Sequence, residues 1–377
     1  MEIRNSLWYT ITMKTEILEM RDASFSEEDM QRAGELIRNG ELVAFPTETV
    51  YGLGGDALNK DASGKIYAAK GRPSDNPLIV HIAEFSALER IVKSVPKKAK
   101  QLAEAFWPGP LTMCFYKSDV VPDETTGGLP TVGVRMPNHP VALGFIKAAG
   151  GYIAAPSANT SGRPSPTLAE HVYEDMNGRI PLILDGGAVG IGIESTIVDF
   201  TGEQISILRP GYITKEMLEE VLGEEVVVDP AVNGVSKDAK PKAPGMKYRH
   251  YAPKAELYIV EGRTPTQVAE KMAELAKQAL ATGKRCGIMI TEENFTAFSG
   301  LKAEEGLILK SLGHEGDESS VAKALYRVLR EFDEEQVDII YSEGFGESGV
   351  GQAVMNRLIR AAGHKIIREA SYNEEKG

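Results

Sequence analysis

Residues 236–254 read SKDAKPKAPGMKYRHYAPK, and this stretch constrains the possible folds more than any other. It holds six Lys/Arg against the single Asp238, contains three prolines and shows no apolar periodicity. A helix or strand core cannot be built across it, so it reads as a linker between two units, each with its own core. The length of 377 residues agrees, being too long for one small core. The boundaries expected from pattern and composition are a first domain over 18–223, a basic connecting segment over 224–253 and a second domain over 254–368.

The two units differ in pattern. In the first, Ser24 and Glu27 form a capping box for a helix to about Asn39. LVAFPTETVYGLG (42–54) then passes from an apolar strand into a polar turn. Helical stretches follow near 61–70, 85–93 and 96–106. Strands are expected at 77–82, 111–116, 131–136, 152–155, 182–185, 195–200 and 205–210. Short strands mixed with helices point to a twisted mixed sheet with helices around a concave cavity. In the second unit ELYIVEG, RCGIMIT, LILKSLG and VDIIYSEGF alternate with helical stretches near 265–281, 317–332 and 350–361. That alternation predicts a smaller, Rossmann-like, mostly parallel α/β domain.

Composition excludes several classes. Hydrophobic residues at 42% and charged residues at 25% make an ordinary globular mixture. A net charge of −12 argues against a surface built to coat nucleic acid, so any basic patch is local. Cys114 and Cys286 lie far apart without CxxC spacing, which excludes a disulfide framework and a cysteine zinc site. No apolar run approaches a membrane span and the start lacks a signal-peptide core, so the expected location is cytoplasmic. Met13 is an alternative start, with the first twelve residues an extension.

Three loops border apolar strands and carry polar or cationic groups. KGRPSDNPLIVHI (70–82) places Lys70 and Arg72 two residues apart, on one side of an extended chain. Pro73 and Pro77 restrict its backbone, and Arg offers a fork to phosphate or carboxylate. PTETVYGLG (46–54) and IAAPSANTSGRPSPT (153–167) gather hydroxyl and amide groups at strand ends, where open α/β sheets bind ligands. Each loop alone is readily a solvated turn. GFGESG (344–349) matches GxGxxG, but it comes at the last expected strand with fewer than 30 residues remaining, so it is weak evidence for a dinucleotide site. DGGAVGIG (185–192) is as well explained by a glycine-rich turn.

PTETVYGL, KGRPSDNPLIVHI, VGVRMP, PSANTSGRPSPT, ESTIVD and LRPG occur in this order in the YrdC/Sua5 family, which the chain resembles over about 24–222. The tail from PGMKYRHYAP onward resembles the additional domain of the longer Sua5 branch. The resemblance implies an enzyme joining L-threonine, bicarbonate and ATP, with Mg²⁺, into threonylcarbamoyl-AMP and pyrophosphate, an intermediate for the t6A modification of tRNA. It implies that Lys70, Arg72, Ser74, Thr131, Ser157, Asn159, Thr167, Arg209 and His250 lie along ATP, with Lys70 and Arg72 central to catalysis. It places Thr47, His81, Arg135 and Ser195 around L-threonine, and no protein metal ligand. It also implies a functional link to the tRNA threonylcarbamoyl-transferase machinery, with at most weak tRNA contact and no membrane. By the same resemblance the PGMKYRHYAP segment closes over the nucleotide as a lid. Lys70 and Arg72 are expected to be exposed when no ligand is bound. Two rivals remain at this point. One is an RNA-binding module of the same fold. The other is a carbamoyltransferase-type relative, for which the needed cysteine motifs are missing.

Overall fold

The computed structural model describes residues 13–21, 26–232, 243, 250–301, 304–346 and 348–368. The expected cap Ser24, residues 1–12 and most of the basic segment lie outside the described residues. The first unit contains β1 (Glu16–Glu19), α1 (Glu27–Arg38), β2 (Val43–Phe45), β3 (Gly52–Asp56), α2 (Lys60–Lys70), β4 (Ile79–His81), α3 (Leu88–Ile91) and α4 (Lys97–Phe106). It continues with β5 (Leu111–Tyr116), β6 (Thr131–Arg135), α5 (Pro140–Ala148), β7 (Ile153–Ala155), α6 (Ala169–Met176), β8 (Leu182–Asp185), β9 (Thr196–Asp199), β10 (Ser206–Arg209), α7 (Lys215–Leu222) and β11 (Val227–Val228). The second holds β12 (Glu256–Glu261), α8 (Pro265–Ala281), β13 (Cys286–Ile290), β14 (Leu307–Ser311), α9 (Glu318–Glu334), β15 (Ile339–Glu343), α10 (Gly349–Ala362) and β16 (Ile366–Arg368).

Among the described residues the first unit forms one 11-stranded mixed sheet, ordered β1-β8-β2-β3-β7-β4-β6-β5-β9-β10-β11. The second forms a 5-stranded sheet, β14-β13-β15-β12-β16, whose pairings are all parallel. The first sheet runs to Val228, since β10 pairs with β11, five residues past the boundary expected at Gly223.

Local chemistry accounts for several ends. Ser26 caps α1 by accepting from the Asp29 amide at 3.0 Å, and Glu27, Glu28 and Asp29 suit the positive end of the helix. α2 stops at Gly71, whose φ of 65° is the left-handed cap that glycine adopts without strain. Strand β3, with the sequence GLGGD, had read as part of a polar turn. Its glycines are there for close packing: a Cβ on Gly54 would stand 2.9 Å from Ile153 and one on Gly52 3.0 Å from Phe45.

The two units share a core. Val50 and Ile193 of the first pack in one buried cluster with Tyr251, Leu257, Leu325 and Tyr326. The Tyr251 and Tyr326 rings stack with centroids 5.2 Å apart. Arg330 on α9 donates to Asp175 at 2.8 Å, with both side chains fully buried, and to the Pro164 carbonyl at 2.7 Å. The backbone amide of Lys254 donates to Asp333 at 2.7 Å. Removing one partner of a buried ion pair of this kind costs about 3–5 kcal/mol, so the two units are strongly coupled.

Candidate active site

The site grows from neighbouring strand ends. β4 and β6 pair in parallel with His81 opposite Arg135, so the register alone sets these two side by side. The turn after β2 is locked by Thr47, whose hydroxyl donates to the Val50 carbonyl at 2.7 Å and accepts from the Thr49 amide at 3.2 Å. Thr49 Oγ1 then accepts from Arg135 Nη1 at 2.9 Å. Ser157 follows β7, Ser195 precedes β9 and Arg209 ends β10. Arg209 donates to the Ser195 carbonyl at 2.9 Å and to its hydroxyl at 3.2 Å.

These elements line one cleft of about 590 Å³ counting its open mouth, within the range of small-molecule sites. Thr47, Arg72, His81, Arg135, Ser157, Ser195, Arg209 and His250 all face it. Other expected residues stand around it. Lys70 is behind the wall, where its Nζ donates to the Ser157 and Asn159 carbonyls. Thr131 lines a smaller neighbouring cavity that shares Ile79 with the cleft. Thr167 is buried against His171, its amide 3.2 Å from Nδ1, and Ser74 is exposed.

One expectation is overturned. Lys70 and Arg72 are not exposed, at 1% and 9% accessibility, nor do they share an extended strand. Lys70 is the last residue of α2 and Arg72 follows the helix cap, donating to the Pro77 carbonyl at 3.1 Å. The carbonyls of Ser157 and Asn159 in the loop after β7, and of Asn76 and Pro77 in the proline-restricted loop, draw the two cations inward. Further cleft residues were not anticipated, among them the polar Thr49, Glu194 and Tyr251. All three lie inside or beside the quoted motifs, in PTETV, ESTIVD and RHYAP, but only the folded chain turns them inward.

Electrostatics fits an anion. Burial pulls Arg72 down to about 10, with the charge of Arg209 acting in the same direction. Arg135 forms an ion pair with Glu48 at 2.8 Å. Glu48 backs Arg135, and Glu194 is held by Arg357 of the second unit at 3.2 Å. The guanidinium groups of Arg72, Arg135 and Arg209 therefore converge on one cleft while the nearby carboxylates are engaged at its walls.

Burial, followed by the charge of Arg135, drives His81 down to about 3, so it works as a neutral imidazole. His171 falls to about 3 through burial and the charge of Arg330. Unfolding would let both take a proton below their ordinary value of 6.5. Their stabilising contribution is thus complete above about pH 6.5 and is lost as pH falls toward 3, at up to about 1.4 kcal/mol per pH unit for each. We expect the melting temperature to drop already between about pH 6.5 and 5, above the range where ordinary carboxylates titrate. A flat melting curve across that interval would show that both rings protonate in place.

Fold and site together define a class: a two-domain α/β protein with a cationic, hydroxyl-lined cleft, walled in part by the segment that joins the domains and suited to a phosphorylated substrate. The Sua5_yciO_yrdC family, described as "Telomere recombination", matches residues 35–211. The Sua5_C family, described as "Threonylcarbamoyl-AMP synthase, C-terminal domain", matches 213–363. Threonylcarbamoyl-AMP synthase of Bacillus subtilis is 48% identical over 348 residues, covering 92% of this chain and 96% of the relative. The synthase of Pyrococcus abyssi is 49% identical over 336 residues, 89% and 94% of the two chains. That of Halorhodospira halophila is 37% identical over 171 residues, 45% of this chain but 89% of its own length. The crystal structure of P. abyssi Sua5 complexed with L-threonine superposes with a TM-score of 0.87 at 47% identity, covering 94% of this chain and all of that one. The chain belongs to the Sua5 family of threonylcarbamoyl-AMP synthases.

Proposed function

We infer that this chain joins L-threonine, bicarbonate and ATP into threonylcarbamoyl-AMP, releasing pyrophosphate, to supply the t6A modification of tRNA. The observation that carries the reading is the full-length likeness to synthases in a chain whose cleft gathers three arginines. GxGxxG is not the nucleotide site in this reading. The Glu318 carboxylate accepts from the Gly351 amide at 2.6 Å, filling with an internal anion the helix N-terminus that a phosphate would need.

The threonine amine attacks the carbon of CO₂ formed from bicarbonate and loses a proton, giving a carbamate. A carbamate oxygen then bonds to the α-phosphorus as the bond to pyrophosphate breaks. The carbamate, the threonine carboxylate and the triphosphate are all anionic, so the protein's task is to hold like charges together. Arg135, already oriented by Glu48 and Thr49, would take the threonine carboxylate beside Thr47, Ser195 and the neutral His81. Arg72, Arg209, Ser157 and His250 would take the phosphates, with Lys70 and Asn159 fixing the loop that carries Ser157. Mg²⁺ would enter with ATP as part of the substrate and neutralise phosphate charge. The cleft's donors are hydroxyls and guanidinium groups, which suit phosphate oxygens rather than a cation.

Two described parts of the connecting segment support a lid. Ala243 is buried with Ile79, Cys114, Ile197 and Leu208 of the first unit, and His250 and Tyr251 line the cleft. The Ala252 amide donates to the Gly162 carbonyl at 2.8 Å. A cover at this place would shield the labile carbamate and mixed anhydride from water.

With Mg-ATP and bicarbonate, we expect pyrophosphate release to depend on L-threonine and to be weaker with L-serine. One methyl in an apolar pocket is worth about 1–3 kcal/mol, or roughly 10-fold to 200-fold. Mass-spectrometric detection of threonylcarbamoyl-AMP completes the assay, and equal pyrophosphate release without threonine would sink the reading.

A further inference from the structure

Arg357 on α10 and Tyr326 on α9 belong to the second unit, yet both end on Glu194 in the wall of the first unit's cleft. Tyr326 donates to Glu194 Oε2 at 2.9 Å and Arg357 Nε to the same oxygen at 3.2 Å, while Ser165 donates to Oε1 at 2.6 Å. Arg357 Nη2 also donates to the Glu194 carbonyl at 3.3 Å, and Nη1 to the carbonyls of Pro210 and Ala353. Glu194 directly precedes Ser195, and Pro210 directly follows Arg209. One fully buried guanidinium thus bonds to both segments that present Ser195 and Arg209 to the cleft. The segments are pressed together: a Cβ on Gly211 would lie 2.4 Å from the Thr196 amide nitrogen.

We propose that Arg357, assisted by Tyr326, is a positioning residue for synthesis. Through it the second domain sets the spacing of Ser195 and Arg209 and ties the Glu194 carboxylate to the wall, away from the anionic substrates. The proposal rests on the synthase reading. Geometry gives it two levers. Loss of the clamp frees the two segments to shift, and a misplacement of about 1 Å at reacting groups can cost roughly 100-fold. It also leaves a buried carboxylate without its main partner, facing phosphates.

The titratable groups facing Glu194 are Arg357 and Tyr326 on the second unit, Arg209 and Lys70 on the first, and His250 and Tyr251 between them. Burial alone would push Glu194 up, but Arg357 and then Arg209 outweigh it and hold the group below the usual carboxylate value. Without Arg357 the burial effect gains, and Glu194 takes a proton at higher pH. Protonation removes the negative charge that faces the phosphates, so the R357M rate should be partly regained as pH falls, and the acidic limb of its kcat/KM profile should move downward in pH.

The test is threonine-dependent pyrophosphate release by the full chain over a range of pH, with melting temperature measured in parallel. Arg357→Met should lower kcat/KM by about 100-fold near neutral pH and shift the acidic limb downward. Arg357→Lys should restore part of the rate, and E194Q/R357M should recover about tenfold over R357M and abolish the limb shift, since no carboxylate remains. Reduced stability by itself would lower the folded fraction, most of all at acid pH, and so move the acidic limb upward instead. Wild-type kcat/KM in R357M, or a loss equal to the unfolded fraction at every pH, overturns the clamp. Should R357M fail to fold, Arg357→Lys and Tyr326→Phe carry the test: a several-fold loss with the limb moved downward supports the clamp, and a limb unmoved or moved upward overturns it. A wild-type chain without threonine-dependent pyrophosphate release overturns the synthase reading and the clamp together, whereas an active R357M overturns the clamp alone.

Discussion

Replacing Lys70 with Ala should remove nearly all pyrophosphate release and destabilise the protein by about 2–5 kcal/mol, because two buried carbonyl acceptors lose their charged donor. The ammonium group sits at 1% accessibility and bridges the carbonyls of Ser157 and Asn159. It therefore ties the end of α2 to the loop after β7. Burial, with the charges of Arg72 and Arg330, pulls its pKa well below the ordinary lysine value, and Asp175 and Glu194 act in the opposite direction. Alanine leaves a cavity and two unsatisfied carbonyls, and it frees Ser157, which faces the cleft. Arginine is no remedy, since its planar fork does not fit a site built for a compact ammonium. Urea melts and pyrophosphate assays on the same preparations check both halves. Unchanged stability with lost activity would mean that Lys70 acts on phosphate directly and that its carbonyl contacts contribute nothing.

Much of this was readable in the sequence because the motifs are local. The quoted loops carry Thr47, Arg72, His81, Ser157 and Ser195, and strand ends bring them together as open α/β sheets do. The second unit was legible because its apolar runs and helical stretches alternate at regular intervals. Other features depend on contacts distant in sequence. β3 is a strand of glycines, a composition that reads as a turn until Ile153 and Phe45 are seen pressing on it. Helix α5 begins at Pro140 and is rich in apolar residues without a polar stripe, so periodicity did not reveal it. The depth of Lys70 and Arg72 depends on which carbonyls surround them, and charge alone suggested exposure. Glu194 was inside a quoted motif, but its partners Tyr326 and Arg357 lie 132 and 163 residues away.

A first domain expressed alone, ending after Val232, should lose at least about 100-fold in synthase activity, as expected when the groups closing and positioning a site are removed. A shorter relative makes this a real question, since it matches 45% of this chain over 89% of its own length. Here the first unit carries surfaces that need the second. Val50 and Ile193 would be uncovered, Asp175 would lose Arg330, and Glu194 would lose both Tyr326 and Arg357. Leaving a buried charge without its partner costs about 3–5 kcal/mol per pair, so the isolated domain should also melt earlier than the full chain. His250 and Tyr251 would leave the cleft at the same time. The lid and the clamp are separated by limited trypsin digestion of the full-length chain. If the basic segment closes over substrate, Mg-ATP and L-threonine together should slow cleavage at Lys247 and Arg249, and R357M should keep that protection while losing turnover. Full activity in the isolated domain, with cleavage at Lys247 and Arg249 indifferent to substrates, would reduce the segment to a tether and the second domain to a passenger.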